Sequence, residues 1–432
     1  MLKTNDPAEL TATEAAAEIA DGSLTATALM EALLARVEER EPTVKAWVHL
    51  DNDQALSAAR ESDASGTGPL KGIPVGVKDI IDTADMPSQY GSPIYKDNQT
   101  RGEASCVTLT KNAGGIIMGK TVTTEFAARG PGPTTNPHNP AHTPGGSSSG
   151  SAAAVGAMMV PLAFGTQTVG STLRPASYCG VYGYKPTFGE FGQNGVKENT
   201  AELDTVGLFA RSVEDISLFR SGMLRLGDNP LNGPDIAGLR VGFCRTPHWH
   251  EIDASTQTLL EDAAAQLTKA GATVEDLTLD EDAFEESRLA NLVVNKYGMN
   301  RALAWELKNH YDQITDILKN THLVDSTTFT HGEWRNAIRA NENYRRRFAK
   351  ETKDYDVMLT ASSFGEALEG TALTGSATMN NLATRTQIPA ISIPAFTGPK
   401  GLPVGAQLMG HWGEDHKLLE ASQTIASVLI ED

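Results

Sequence analysis

The sequence predicts an α/β fold with helices on both faces of a sheet. Three observations lead there. From Gly72 onward, short apolar runs alternate with alanine-rich stretches of helical character. The 432 residues are ample for a sizeable core. No internal repeat, long low-complexity tail or uninterrupted apolar span long enough for a membrane helix breaks the pattern.

Each element has its own signal. Thr11 and Thr13 with Glu14 start a short helix that ends near Asp21-Gly22. Thr25 caps a second helix, whose Leu29, Leu33 and Val37 form an apolar stripe beside Met30 and Leu34 and which stops at Pro42. Both read as packing elements. Ile73-Pro74-Val75-Gly76-Val77 reads as a buried strand end leading into Lys78. Cys106-Val107-Thr108-Leu109 reads as helix, and Ile116-Ile117-Met118 and Val160-Pro161-Leu162-Ala163-Phe164 as strands. Residues 221–237, rich in Gly, Pro and Asn, form a connection. A strand follows at Leu239-Arg240-Val241-Gly242-Phe243, a helix over 255–271 and a short strand at Thr273-Val274-Glu275-Asp276-Leu277. Residues 282–353 are mostly helical and charged, with Trp305 and Trp334 as anchors and Arg345-Arg346-Arg347 on a solvated face. Met358-Leu359, Ile391-Ser392-Ile393 and Ala406-Gln407-Leu408 return the chain to the sheet.

Composition narrows the function. The net charge of −18 opposes nucleic-acid backbone binding, which requires basic neutralisation. Three cysteines (Cys106, Cys179 and Cys244) cannot all pair and lack metal-ligand spacing, which fits a reduced, cytoplasmic setting. Met1-Leu2-Lys3-Thr4-Asn5-Asp6 has no apolar signal core. The histidines form no convincing ligand set: His248 and His250 flank Trp249, and His138 and His142 sit in a proline-rich loop.

The chemistry concentrates in Gly145-Gly146-Ser147-Ser148-Ser149-Gly150-Ser151, in Gly165-Thr166-Gln167-Thr168-Val169-Gly170-Ser171, and in Lys78 upstream. Serine attacks only as its proton is removed. Lysine removes it only when neutral, the form that burial favours. Glycines at the second run open the backbone, so that the N–H groups around Thr168, Val169, Gly170 and Ser171 can face a developing oxyanion. A flexible Gly/Ser linker is the competing reading. Ala152-Ala153-Ala154-Val155, which continue the first run as a small-residue helix, argue against it.

These residues resemble the amidase signature enzymes. The resemblance rests on Gly145-Gly146-Ser147-Ser148, on Ser171 placed 24 residues after Ser147, and on Pro175-Ala176-Ser177-Tyr178-Cys179-Gly180 running into Gly183-Tyr184-Lys185-Pro186-Thr187. It extends to Leu203-Asp204-Thr205-Val206-Gly207, Ala210-Arg211-Ser212, Ile388-Pro389-Ala390 and Gly401-Leu402-Pro403-Val404-Gly405. It implies a single α/β/α fold around a large, twisted, mixed sheet. Residues 1–60 would form a helical cap, 61–220 the core, and 221–432 the remainder of the sheet, with 282–353 as an insert walling the pocket. It implies a Ser–cis-Ser–Lys triad, with Ser171 the acylated nucleophile, Ser147 (after a cis Gly146–Ser147 peptide) the relay and Lys78 the base. The expected activity is hydrolysis of small linear amides without a cofactor, on a small-molecule amide or carbamate substrate, with a homodimer as the candidate assembly and no nucleic-acid or membrane partner. Carbamate or ester hydrolysis by the same triad is the alternative. The glutaminase subunit of a transfer-RNA amidotransferase, from the same family, is another.

Two positions depart from the family pattern. Gln167 and Val169 stand where Asp and a tiny residue are frequent. Arg174 follows the nucleophile by three residues, a spacing that resembles malonamidases, where the arginine is linked to a substrate carboxylate. A guanidinium fork suits that role, and equally suits a structural tie to an internal acid or to backbone carbonyls.

Two other motifs compete. Gly114-Gly115-Ile116-Ile117-Met118-Gly119-Lys120-Thr121 spells a phosphate loop, but a strand falls inside it, so the match is read as chance. Gly146-Ser147-Ser148-Ser149-Gly150 spells a nucleophile elbow centred on Ser148, with Asp356 or Asp415 and His411 or His416 downstream. The elbow requires a preceding strand, and Pro137-His138-Asn139-Pro140-Ala141-His142-Thr143-Pro144 is a turn-rich loop.

Overall fold

The computed structural model describes residues 6–430. Its strands are β1 Trp47–Leu50, β2 Pro74–Lys78, β3 Ile116–Thr121, β4 Leu162–Gln167, β5 Tyr182–Lys185, β6 Thr205–Ala210, β7 Arg240–Phe243, β8 Thr273–Asp276, β9 Val357–Ala361, β10 Ala390–Thr397 and β11 Pro403–Met409. They form one sheet in the order β1-β3-β2-β4-β6-β5-β10-β11-β9-β7-β8. The sheet is mixed. Strands β3, β2 and β4 run parallel to one another, as do β9, β7 and β8, and antiparallel pairings through β6, β5, β10 and β11 join the two blocks. The central strands are buried on both faces, which is why they read as continuous apolar runs rather than alternating ones.

The helices are α1 Ala12–Asp21, α2 Ala26–Val44, α3 Asn52–Ser65, α4 Ser105–Asn112, α5 Ser149–Gly156, α6 Leu173–Cys179, α7 Val213–Leu224, α8 Ala254–Ala270, α9 Glu281–Ala302, α10 Ala304–Asn309, α11 Asp316–Lys319, α12 His331–Glu351, α13 Thr378–Arg385 and α14 Asp415–Leu429. The small-residue helix α5 and helix α6 lie against each other and directly on the central strands; α4, α7, α8 and α14 form a second contiguous layer. Helices α9 and α12 pair along their length, and Phe284, Tyr344 and Phe348 bury there beside Leu382 and Met409. No described helix is long and apolar enough to cross a membrane.

Most element readings hold. The connection read over 221–237 starts only at Arg225, because α7 runs to Leu224, and four further readings need correction. Helix α2 continues past Pro42 to Val44 and ends at Lys45 in the left-handed conformation. Proline there removes only one hydrogen bond in the last turn, so it marks the helix end without defining it. Residues 1–60 are not purely helical, because β1 pairs antiparallel with β3 at the sheet edge. Trp305 is 53 % exposed and anchors no core, whereas Trp334 is half-buried and stacks on Tyr297 at 5.5 Å. Arg345 turns inward to donate to the Gln387 side chain, leaving Arg346 and Arg347 on the solvated face.

Candidate active site

Strand β2 ends at Lys78, and its parallel neighbour β4 ends at Gln167, so both present their carboxyl ends to the same edge of the sheet. Ligands bind at that end of parallel strands in α/β proteins. The serine run enters α5 beside them. Gly145 takes φ 79, and a Cβ there would stand 2.9 Å from Pro175 of α6. The Gly146–Ser147 peptide is cis.

Each serine of the run has a separate anchor. Ser148 Oγ accepts from the Thr166 N–H at 3.2 Å, Ser149 Oγ donates to the Gly145 carbonyl at 3.0 Å, and Ser151 Oγ donates to the Phe164 carbonyl at 2.7 Å. Ser147 instead meets Lys78. The Lys78 Nζ donates to Ser147 Oγ and to Thr166 Oγ1, both at 2.7 Å. This buried polar seam is the opposite of a solvated linker.

Lys78 is 0 % exposed. Burial pushes its amine well below the ordinary lysine range, and the Asp204 carboxylate pulls it partway back. Asp204 is itself raised to about 6 by burial, against hydrogen bonds from the Thr168 hydroxyl and the N–H groups of Asn199 and Thr200. A neutral amine is the form that can take a proton from a hydroxyl.

Ser171 lies in the turn between β4 and α6, partly exposed, and its carbonyl accepts from the Ser148 N–H at 3.4 Å. Among the described residues no hydrogen bond joins Ser147 to Ser171. The Gln167 side chain shapes the turn: its Oε1 accepts from the Thr172 and Leu173 N–H groups at 3.0 and 3.1 Å, at the start of α6. Its Nε2 donates to Thr384, whose hydroxyl donates to the Val169 carbonyl. The N–H groups of Val169, Gly170 and Ser171 make no hydrogen bond among the described residues. A Cβ on Gly170 would fall 2.5 Å from Asn380 Oδ1, so only glycine leaves this turn its course. Val169 is partly exposed beside it.

Arg174 is 5 % exposed, on the inner side of α6. Its Nη1 donates to the Gly375 carbonyl at 2.7 Å, and its Nη2 to the Gly146 carbonyl and to Thr374 Oγ1. The guanidinium fork is thus occupied by the Gly146 carbonyl, next to Ser147, and by the Gly375 carbonyl, the structural tie that the sequence leaves open.

The competing motifs do not assemble. Ser148 is fully buried. His411 faces the Tyr355 carbonyl, His416 faces Asn229 and Glu420, and Asp415 accepts from Tyr184 and Thr187. Lys120, of the phosphate-loop spelling, lies inside β3 and pairs with buried Asp79 at 2.9 Å. Sequence reasoning missed Thr166, Asp204 as a site residue, and Asn380. Thr166 and Asp204 did lie within quoted motifs, but nothing in those motifs told which side chain each would face.

A family model described as Amidase matches residues 28–419. Among curated relatives, a glutamyl-tRNA(Gln) amidotransferase subunit from Lachnospira eligens is 31 % identical, the alignment covering 96 % of this chain and 97 % of that one. The peptide amidase of Stenotrophomonas maltophilia superposes with a TM-score of 0.80 at 26 % identity, covering 98 % of this chain and 97 % of that chain. A further solved amidase gives a TM-score of 0.86 at 25 % identity, over 97 % of this chain and 99 % of that chain. Sequence, fold and the arrangement around Lys78 therefore agree: this chain belongs to the amidase family, the amidase signature enzymes.

Proposed function

We propose that the chain hydrolyses the C–N bond of a small linear amide through an acyl-enzyme on Ser171. The observation that carries this reading is the fully buried Lys78 amine, shifted toward its neutral form and hydrogen-bonded to Ser147. As Ser171 Oγ attacks the carbonyl carbon, its proton passes to Ser147 Oγ while the Ser147 proton passes to Lys78. The oxyanion is received by the N–H groups of the turn from Thr168 to Ser171. Collapse breaks the C–N bond, and the leaving amine takes a proton back along the same relay. Water then attacks the acyl-enzyme with the relay run again, releasing the acid and restoring Ser171. The relay requires a Ser147–Ser171 hydrogen bond in the substrate complex; catalytic hydrogen bonds in unliganded sites are often loose. A carbamate or an ester would be cleaved by the same steps.

A second reading is favoured by one observation. Curated relatives from Lachnospira eligens and Symbiobacterium thermophilum are subunits of glutamyl-tRNA(Gln) amidotransferases, matched nearly end to end. In that role the same acyl-enzyme would form on glutamine, and the ammonia would pass to a tRNA-bound acyl group with the help of partner proteins.

Ammonia or amine release by the purified chain separates the two. The panel is neutral amides, carbamates, carboxylate-bearing amides and glutamine, with the Ser171→Ala variant as control. Turnover by the chain alone, abolished in Ser171→Ala, is the expected result. Turnover of glutamine alone, and only with partner proteins and charged tRNA present, would establish the second reading. Turnover undiminished in Ser171→Ala would overturn both.

A further inference from the structure

Arg129 lies just after the 3₁₀ turn Glu125–Ala127, in a loop held from several sides. The Thr124 N–H donates to the Ser147 carbonyl at 3.2 Å, so the segment leading into the loop abuts the relay serine. Phe126 and Ala127 follow with φ 50 and 55, two successive non-glycine residues in the left-handed region. Backbone of that kind persists where its surroundings over-determine it, and it clusters at functional sites. Here the surroundings are specific. The Phe126 N–H donates to the Tyr90 carbonyl, Asn199 Nδ2 donates to the Phe126 carbonyl, and the Glu125 carboxylate receives Ser92 and Thr315.

This loop presents a half-buried arginine side chain that makes no hydrogen bond or ion pair among the described residues. Other arginines withdrawn from solvent have partners: Arg36 has Asp6, Arg220 has Glu190, and Arg174 and Arg211 have backbone carbonyls. The nitrogens of Arg129 are not among the sealed, unpartnered ones, so the fork stays accessible to a ligand arriving from solvent.

The neighbourhood is cationic. Arg129 lies close enough to Arg174 to disfavour its charge, and Arg174 is bonded to the Gly146 carbonyl, next to Ser147. His322 is held neutral, at about 4, by burial and then by Arg129, Lys296 and Arg174. The charges that act on His322 are all cationic. In a chain of net charge −18 such a concentration of uncompensated positive charge is not a property of the surface at large.

We propose that Arg129 binds a carboxylate carried by the substrate, so that the site takes linear amides bearing an anionic group. The proposal rests on the amide-hydrolase reading of the site and moves anion recognition from Arg174, whose fork is occupied, to Arg129, whose fork is free. Planar guanidinium and carboxylate pair through two parallel charge-assisted hydrogen bonds, which gives orientation as well as affinity.

The test separates binding from turnover. Succinamate, glutaramate and the neutral butyramide are titrated calorimetrically into the Ser171→Ala protein, with Arg129→Met and Arg129→Lys added in turn. The expected result is preference for the anionic amides, weakened about 10- to 100-fold by Arg129→Met, as for the loss of a charged hydrogen-bonding partner, and partly recovered by Arg129→Lys. No preference for the anionic amides, equal weakening of butyramide, or succinamate binding unchanged in Arg129→Met would each overturn the proposal. Turnover of the same amides by the chain with Ser171 intact is measured alongside. Arg129-dependent binding without any turnover would overturn the hydrolase reading and leave the anion site standing. Ser171-dependent turnover whose acid-to-neutral ratio ignores Arg129→Met would overturn the anion site alone.

Discussion

In the proposed mechanism the chemistry turns on one proton at Lys78. Burial lowers the affinity of its amine for that proton, and the nearby Asp204 carboxylate raises it. The sign of one substitution follows. Asp204→Asn removes the negative charge, lowers the Lys78 pKa further, and moves the rising limb of the acylation pH profile to lower pH. Rates of labelling by a fluorophosphonate, measured between pH 5 and about pH 10, check it. A merely structural Asp204 would depress the rate at every pH and leave the limb in place. At this scale the meeting of Lys78 with Ser147 and the cis Gly146–Ser147 peptide could be expected from the sequence, because the glycine-flanked serine motif carries a recognisable pattern. Thr166 and Asp204 could not be. The partner of Thr166 lies 88 residues away, and only the parallel register of β2 and β4 brings the two together. Arg174 shows the same limit. Its chemistry could be read as a fork, but its acceptors, Gly146 and Gly375, are 28 and 201 residues distant.

Among the elements, local signals were most dependable where a side chain caps its own helix. Thr11 and Glu14 form a reciprocal capping box on α1, and Thr25 Oγ1 accepts from the Ala28 N–H on α2. Asp63 of α3 adds a cap from outside, accepting from the Ala26 and Thr27 N–H groups. Thr25→Ala should therefore cost about 1 kcal/mol of stability, seen as a lower urea midpoint with the labelling rate at Ser171 unchanged. A loss of labelling in the folded variant would mean that α2 supports the site rather than the packing alone. Strand β1 was illegible for the complementary reason. Its four residues are mostly half-buried, with Val48 40 % exposed, and show no apolar alternation. What makes it a strand is pairing with β3, together with the Glu41 carboxylate accepting the Ala46 and Trp47 N–H groups just before it. The strand readings at β2, β3, β7 and β9 succeeded because burial on both faces writes itself into composition.

For the molecule as a whole, the eleven-stranded sheet takes strands from both halves of the chain and joins them through β5 and β10. The alternation of apolar and helical segments announced the class of fold, whereas strand order is set by long-range pairing that no local pattern encodes. A sheet continuous across that junction should unfold as one unit. Tryptophan fluorescence, with Trp47 near one end of the chain and Trp412 near the other, should then coincide with far-ultraviolet circular dichroism in urea. Two separated transitions would show that 1–220 and 221–432 unfold as independent bodies.

The central claim is that Ser171 is acylated with Lys78 as base and no histidine involved. Intact-protein mass after exposure to a fluorophosphonate tests it most directly, across wild type, Ser171→Ala, Lys78→Ala and a His411→Ala/His416→Ala double variant. The account predicts a single adduct that is absent in Ser171→Ala, slowed about 10²–10⁴-fold in Lys78→Ala and unaffected in the histidine variant. An adduct that persists in Ser171→Ala and disappears with the histidines would contradict it and place the nucleophile at Ser148.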